Sequence, residues 1–325
     1  MKNVENLDQQ YLQKLENIDF QPVFILGLHR SGTSILYKMM TATQCLNSVT
    51  AYHLINYNKL LHNYIHKEEN YARKELTNFF IKHNQADRGI DRLKITSDFA
   101  EEYGFLLGQK SNQMYITSKN LSFFIELAKK IQFISENDKP ILFKNPFDMS
   151  NYIYIKKVFP NAKFIFIHRH PYKTLSSLFK AVKLIYKKRN PYTTLLYKDY
   201  NKTFENPLML YLSRFSFSSY SPFGMIYLTL FSSKHLKYYM KNIQKLSKKD
   251  YISISYEELC NHPQETMQKL IGFLKIKSKK IDYSSFIKPR KTSLDSSVVK
   301  LQKFIYTNMK DYFKNFEYES DVTKL

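Results

Sequence analysis

A disulfide framework is excluded by count, because the 325 residues include only two cysteines, Cys45 and Cys260. They show no ligand spacing either, which fits a reducing compartment. The opening MKNVENLDQQYLQKLENIDF lacks the apolar core of a secretory signal. No window reaches ~18 uninterrupted apolar residues, so no transmembrane helix is expected. The nearest approach, Leu208 to Phe231, is broken by Arg214, several serines, Pro222 and Gly224. It reads as an aromatic-rich region around a site or as a surface in peripheral contact with a membrane. A cytoplasmic chain is expected. There is no internal repeat, no low-complexity linker, no recognised nucleic-acid motif, and no H-x-x-H or carboxylate cluster to hold a metal.

Acidic residues are also scarce. Fifty Lys+Arg stand against 28 Asp+Glu, giving a net charge of +22. Such an excess favours anionic partners: a polyphosphorylated nucleotide, an anionic lipid or nucleic acid. Only eight of the cations are arginine, so a general lysine bias competes with a dedicated binding surface as its explanation.

What the chain does have is a repeated order of short apolar runs and helical stretches. Pro22–Leu26 leads into Gly27 and a helix near Ser34–Thr43. Ile141–Lys144 leads into Asn145-Pro146 and a helix near Ser150–Val158. Lys163–Ile167 leads into His168–Pro171 and a helix with Leu175, Leu178, Phe179 and Val182 on one face. Tyr251–Ser255 leads into Tyr256-Glu257-Glu258-Leu259 and a helix from about Pro263 to Leu274. Strands apolar on both faces and alternating with helices predict an α/β fold, a parallel sheet flanked by helices on both faces. Ligands of such sheets bind at the carboxyl ends of the strands, and the unusual residues of this chain gather there. The helical stretch of about 56–139 and the aromatic, irregular stretch of about 184–249 read as insertions into a single domain, the second on the acceptor side.

Gly27-Leu28-His29-Arg30-Ser31-Gly32-Thr33-Ser34 follows a strand and opens a helix. Glycines admit a close anion, and the helix start offers free N–H groups and a positive dipole end. The spacing is that of G-x-x-x-x-G-K-[ST], except that Thr33 stands in the lysine's place. That lysine reaches the β- and γ-phosphates, so its loss argues against ordinary ATP chemistry. The cation has moved to Arg30, and the loop expects a 5′-phosphate bearing a short transferable group.

The stretch PVFILGLHRSGTSIL, Pro22–Leu36, resembles the 5′-phosphosulfate loop of the sulfotransferases that use 3′-phosphoadenosine 5′-phosphosulfate (PAPS), in the branch that writes R-S-G-T-[TS]. The resemblance implies a P-loop-nucleotide-kinase-like sulfotransferase fold, with Arg30 and the backbone of Ser31, Gly32, Thr33 and Ser34 on the phosphosulfate. FIFIHRHPYKTLSSL, Phe164–Leu178, resembles the family's 3′-phosphate motif, a strand ending R-D-P with a serine eight residues after the arginine. It implies Arg169 and Ser177 as phosphate ligands, with His170 in the usual place of aspartate; by turn rules His170 itself reads as a surface residue beside Pro171. ISYEELCNHP, Ile254–Pro263, is similar to a late family segment and implies Tyr256 beside the adenine. Lys288-Pro289-Arg290-Lys291 resembles a basic turn that adds a 3′-phosphate contact through Arg290. The resemblance covers residues 20–180 and 250–275.

Sulfuryl transfer needs an in-line attack, charge stabilisation and a base for a hydroxyl acceptor, and the family's logic requires no metal. Lys144, ending ILFK before Asn145-Pro146, matches the lysine that the family sets on the sulfonate. The segment after the first helix, where this branch commonly carries a carboxylate, reads Val49-Thr50-Ala51-Tyr52-His53. His53 is therefore the first candidate base, histidine being competent near neutral pH. Glu102, in Asp98-Phe99-Ala100-Glu101-Glu102-Tyr103, is the second; Asp91 and Glu101 read as helix caps or lysine partners. Two readings compete with the transferase: an ATP-dependent small-molecule kinase of related fold, and a basic protein that binds anionic membranes or nucleic acid. The acceptor, a small molecule, glycan or lipid, is not legible, and no nucleic-acid partner is expected.

Overall fold

The computed structural model describes residues 5–82, 95–287 and 293–324. Strand β1 (Pro22–Leu26) is followed by α1 (Thr33–Ala42) and the two-residue β2 (Asn47–Ser48). A helical excursion comes next: α2 (Ala51–Ile55), α3 (Leu60–Ile65), α4 (Glu69–Lys82), α5 (Gly104–Ser111) and α6 (Leu121–Ser135). β3 (Ile141–Lys144) leads to α7 (Tyr152–Val158), and β4 (Lys163–His168) to α8 (Pro171–Lys187). A second excursion holds α9 (Pro191–Leu196), α10 (Lys198–Glu205), α11 (Pro207–Ser216) and α12 (Phe223–Asn242). β5 (Tyr251–Ser255) runs into α13 (Tyr256–Asn261), α14 (Pro263–Leu274), α15 (Ser296–Lys300) and α16 (Gln302–Asn315).

The strands form one sheet in the order β2-β3-β1-β4-β5, parallel throughout. The four strands expected from apolar runs are present, and β2 is an addition too short to leave a pattern. Register explains the layering. Phe24 of β1 pairs with Phe143 of β3 and Phe164 of β4, and the rings stack at 5.4 and 5.7 Å. These phenylalanines face a core shared with Phe124 and Leu127 of α6 and Tyr152 of α7. Val23, Ile25, Leu142 and Ile165 face the other way, against Leu36 and Met40 of α1 and Leu270 of α14. Alternating strand side chains thus bury both faces. A third core joins α8, α12 and α16 through Phe179, Met225, Leu236 and Phe313.

One expectation is corrected. The stretch 184–249 is helical rather than irregular. Asn190-Pro191 and Asn206-Pro207 start α9 and α11, each asparagine side chain accepting a backbone N–H three residues on, at 3.0 Å in both cases. An N-cap followed by proline at the first helical position is a start signal, masked here by aromatic residues of low helix propensity.

Candidate active site

The loop after β1 is shaped by two left-handed residues, Arg30 at φ 70° and Gly32 at φ 105°. Such alternation curls successive N–H groups into an anion-binding concavity. Gly32 caps α1, and a Cβ there would lie 2.3 Å from Tyr256 Cδ2. Gly27 is pressed as closely: its Cβ would lie 2.6 Å from the Ile167 carbonyl of β4. The first turn of α1 has no acidic residue, so its unpaired N–H groups and dipole end stay positive.

The two phosphate motifs, far apart in sequence, meet in space. Arg30 Nε donates to Ser177 Oγ at 3.1 Å, and Arg169 Nη1 donates to the Arg30 carbonyl at 2.8 Å. The Arg169 guanidinium lies over the Tyr256 ring, 4.3 Å from its centroid. Tyr256 is thus wedged between Gly32 and Arg169, holding loop and strand end together. Ser31 Oγ and Arg169 Nε are buried without a hydrogen-bond partner among the described residues. Unmet buried donors are costly, and here they sit in a cradle of cations and helix-start N–H groups. The set fits a phosphate-bearing ligand. Arg290 lies outside the described residues, as do Arg88-Gly89-Ile90-Asp91.

Lys144 ends β3 with its side chain fully buried. Its Nζ donates to Ser34 Oγ at 3.2 Å and pairs with Glu102 Oε1 at 3.3 Å, the Glu102 side chain being 10% exposed. A loop hydroxyl, a lysine and a carboxylate thus form one line. The turn behind them is fixed by Asp148, which accepts from Tyr103 Oη (2.6 Å), Asn145 Nδ2 (2.7 Å), Asn151 Nδ2 (2.7 Å) and the Ile116 N–H (3.0 Å). Burial pushes the Asp148 carboxyl above its usual range, against those hydrogen bonds. Asp148 is a scaffold for Asn145 and β3. Neighbouring Glu101, fully buried, accepts from Tyr192 Oη and from the Glu102 N–H. It locks the backbone from which Glu102 projects, a role the sequence reading as a cap or lysine partner missed.

His53 is placed differently. It is the third residue of α2 in a capping box with Thr50. Its Nδ1 accepts the Thr50 N–H at 3.1 Å and lies 3.1 Å from Thr50 Oγ1. Burial, with the Arg73 charge, lowers its pKa to about 3. His170 is also no surface residue: it caps α8 and accepts the Tyr172 N–H at 3.3 Å, and its Nε2 lies 2.8 Å from the Glu319 carbonyl. Burial lowers its pKa to about 4. Proline at the first helical position favours a capping residue just before it, and that role drew the ring inward. Glu257, given no role of its own within ISYEELCNHP, accepts the His170 N–H at 3.2 Å and ties α13 to the end of β4.

Comparison with known proteins gives a consistent picture. Residues 22–280 match the model described as "Sulfotransferase family". No curated protein sequence matches the chain. Among solved structures, sulfotransferase STF9 from Mycobacterium avium superposes with a TM-score of 0.63 at 14% identity, covering 96% of this chain and 81% of that one. Sulfotransferase STF1 from Mycobacterium tuberculosis H37Rv gives 0.59 at 13% identity, with 93% and 79% covered. At such identities the structures establish likeness of fold.

Proposed function

The chain belongs to the sulfotransferase family, and we propose that it transfers a sulfuryl group from PAPS to a hydroxyl or amine of a small-molecule, glycan or lipid acceptor, releasing PAP. The observation that carries the PAPS assignment is the direct Arg30–Ser177 hydrogen bond. A loop holding the 5′ side and an arginine–serine pair holding the 3′ side would then lie within reach of one nucleotide bearing phosphate at both ends.

Arg30, the backbone of Ser31 to Ser34 and the hydroxyls of Thr33 and Ser34 would hold the 5′-phosphosulfate. Arg169 and Ser177 would hold the 3′-phosphate, with Arg290 as a further contact and Tyr256 on the adenine side. Bound there, PAPS supplies the sulfuryl group and a phosphate leaving group. Arg30 and Lys144 offset the charge that develops on the transferred and leaving oxygens. Ser34 orients the Lys144 ammonium, whose three donors can serve Ser34, Glu102 and an anion together.

We assign the general base to Glu102 rather than His53. The His53 Nδ1 is committed to the capping box, whereas Glu102 pairs with Lys144, which reaches Ser34 of the loop. Glu102 stands beside Lys144, its Oε1 3.3 Å from the Lys144 Nζ. The same ammonium lies between Glu102 and Ser34 and would shield the carboxylate from the sulfonate. A cytoplasmic location accords with two free cysteines, and no described helix is long and apolar enough to cross a membrane.

The test is transfer of labelled sulfur from PAPS to a panel of hydroxyl- and amine-bearing acceptors, with PAP measured in parallel. Labelled product and PAP in equal amounts are expected. PAP formed with no labelled product from any acceptor class, or no turnover of PAPS at all, would overturn the assignment.

A further inference from the structure

Helix α11, PLMLYLSRFS, buries none of its residues. Yet Leu208, Tyr211, Leu212 and Phe215 recur at i, i+3, i+4 and i+7, the pattern of a helix face made for an apolar partner. All four are exposed, Leu208 at 66% and Tyr211 at 65%. The corner into α12 is tight, since a Cβ on Gly224 would lie 2.5 Å from the Ser216 carbonyl. Beyond it the outer face of α12 reads Phe223, Tyr227, Leu230, Lys234, Lys237, Lys241, all exposed. That single stripe is apolar in its first half and basic in its second. At 1.5 Å per residue the change from Leu230 to Lys241 spans about 16 Å.

The surrounding charge is one-sided. Residues 149–249 contain 19 Lys and Arg but only Asp199 and Glu205 as acids, a net +17; the rest of the chain has 31 and 26, a net +5. A uniform lysine bias would spread the excess, and it does not. No acidic residue occurs from 206 to 249.

We propose that the α11–α12 corner docks on an anionic lipid bilayer, with the α11 face and Phe223, Tyr227 and Leu230 entering the headgroup boundary. Lys234, Lys237 and Lys241 then meet anionic headgroups. Aromatic residues with a polar tip favour that boundary, and each lysine near an anionic leaflet adds about fivefold in affinity. Charge decides the occupant. A second copy would bring the same strongly positive surface face to face with itself, whereas an anionic membrane complements both halves of the stripe.

The experiment is co-sedimentation of the full chain with vesicles of phosphatidylcholine alone and of phosphatidylcholine mixed with phosphatidylglycerol, at low and moderate salt. Binding to the mixed vesicles only, weakened by salt, is expected. The triple variant Leu208→Ser/Tyr211→Ser/Leu212→Ser should lose at least about tenfold in affinity. These side chains are exposed, so its thermal stability should be retained. The separate variant Lys234→Gln/Lys237→Gln/Lys241→Gln should weaken binding and flatten the salt dependence. No binding to mixed vesicles at low salt overturns the proposal, as does binding that the triple variant leaves unchanged. A dimer in solution that the triple variant abolishes, without vesicle binding, would give the surface to a second copy instead. The readout is lipid binding, so failure leaves the transferase reading intact.

Discussion

Replacing Glu102 by glutamine should stop turnover while leaving the cofactor site standing. The side chain keeps its shape and an oxygen for Lys144, which lies 3.3 Å from Oε1 in the native pair. What goes is the negative charge and the capacity to take a proton. Removing one partner of a buried pair costs about 3–5 kcal/mol in the worst case. Here Ser34 still accepts from Lys144 and the Glu102 side chain keeps 10% exposure, so about 2 kcal/mol is a fair figure. For 325 residues, at about 2.1 cal/mol/K each, 1 kcal/mol corresponds to about 1.5 °C and the loss to about 3 °C in Tm. The rate constant should fall by about 10²- to 10⁴-fold. His53→Ala is the matched control. It removes a capping box at about 1 kcal/mol, or about 1.5 °C, and should leave kcat within a few-fold of wild type. The assay is single-turnover PAP formation with saturating PAPS, read beside a melting curve and a PAP titration for each variant. Loss of turnover in His53→Ala with retention in Glu102→Gln would move the base to His53.

Other outcomes follow from the same geometry. Gly32→Ala imposes a Cβ 2.3 Å from the Tyr256 ring at φ 105°, at about 1–2 kcal/mol for the left-handed backbone alone; PAP affinity by calorimetry should fall at least about tenfold. Arg169→Ala and Ser177→Ala should each erase most of the preference for PAP over ADP, since only PAP carries the 3′-phosphate, while weak ADP binding persists. His53 and His168 both have pKa values lowered to about 3 by burial, so the unfolded chain binds the extra protons. Their contribution to stability is complete above pH 6.5 and is lost as pH falls from there towards 3. Urea unfolding at pH 5.5 should therefore give a stability at least about 3 kcal/mol below that at pH 7.5 from these two rings, and His170 and His235, both lowered to about 4, add to the loss in the same direction. A flat profile over that interval would show that the rings are not held neutral.

The sheet and the loop were legible because their signals are local. Phe24, Phe143 and Phe164 each sit in a short apolar run bounded by turn residues, and Gly27 to Ser34 carries its chemistry in eight consecutive positions. The order of α1, α8 and α14 follows from the same punctuation. Pairings between distant segments were not legible. The family resemblance set Arg30 and Ser177 at one cofactor, and Lys144 and Glu102 in one reaction centre, but not the direct contacts Arg30–Ser177 and Lys144–Glu102, which join a loop to α8 and a strand end to the turn before α5. His53 drew attention as a basic group in a suitable neighbourhood, but Thr50 three residues earlier was the stronger signal: a capping box claims its third residue. The helices of 191–242 were obscured because aromatic residues of low helix propensity masked the Asn-Pro start signals. The charge excess could be counted at once, while its confinement to 149–249 acquires meaning only when α11 and α12 are seen to point their apolar stripe outward.

The proposed cradle of Arg30, Ser177 and Arg169 requires one nucleotide with phosphate at both its 3′ and 5′ ends. Thermal stability with PAP, with ADP and with ATP plus magnesium, at moderate salt, tests it most directly. A ligand at about 100 times its Kd adds about 2.7 kcal/mol, which for this chain is about 4 °C. That shift is expected with PAP, and a clearly smaller one with ADP at the same concentration. A shift with ATP–magnesium and none with PAP would contradict it.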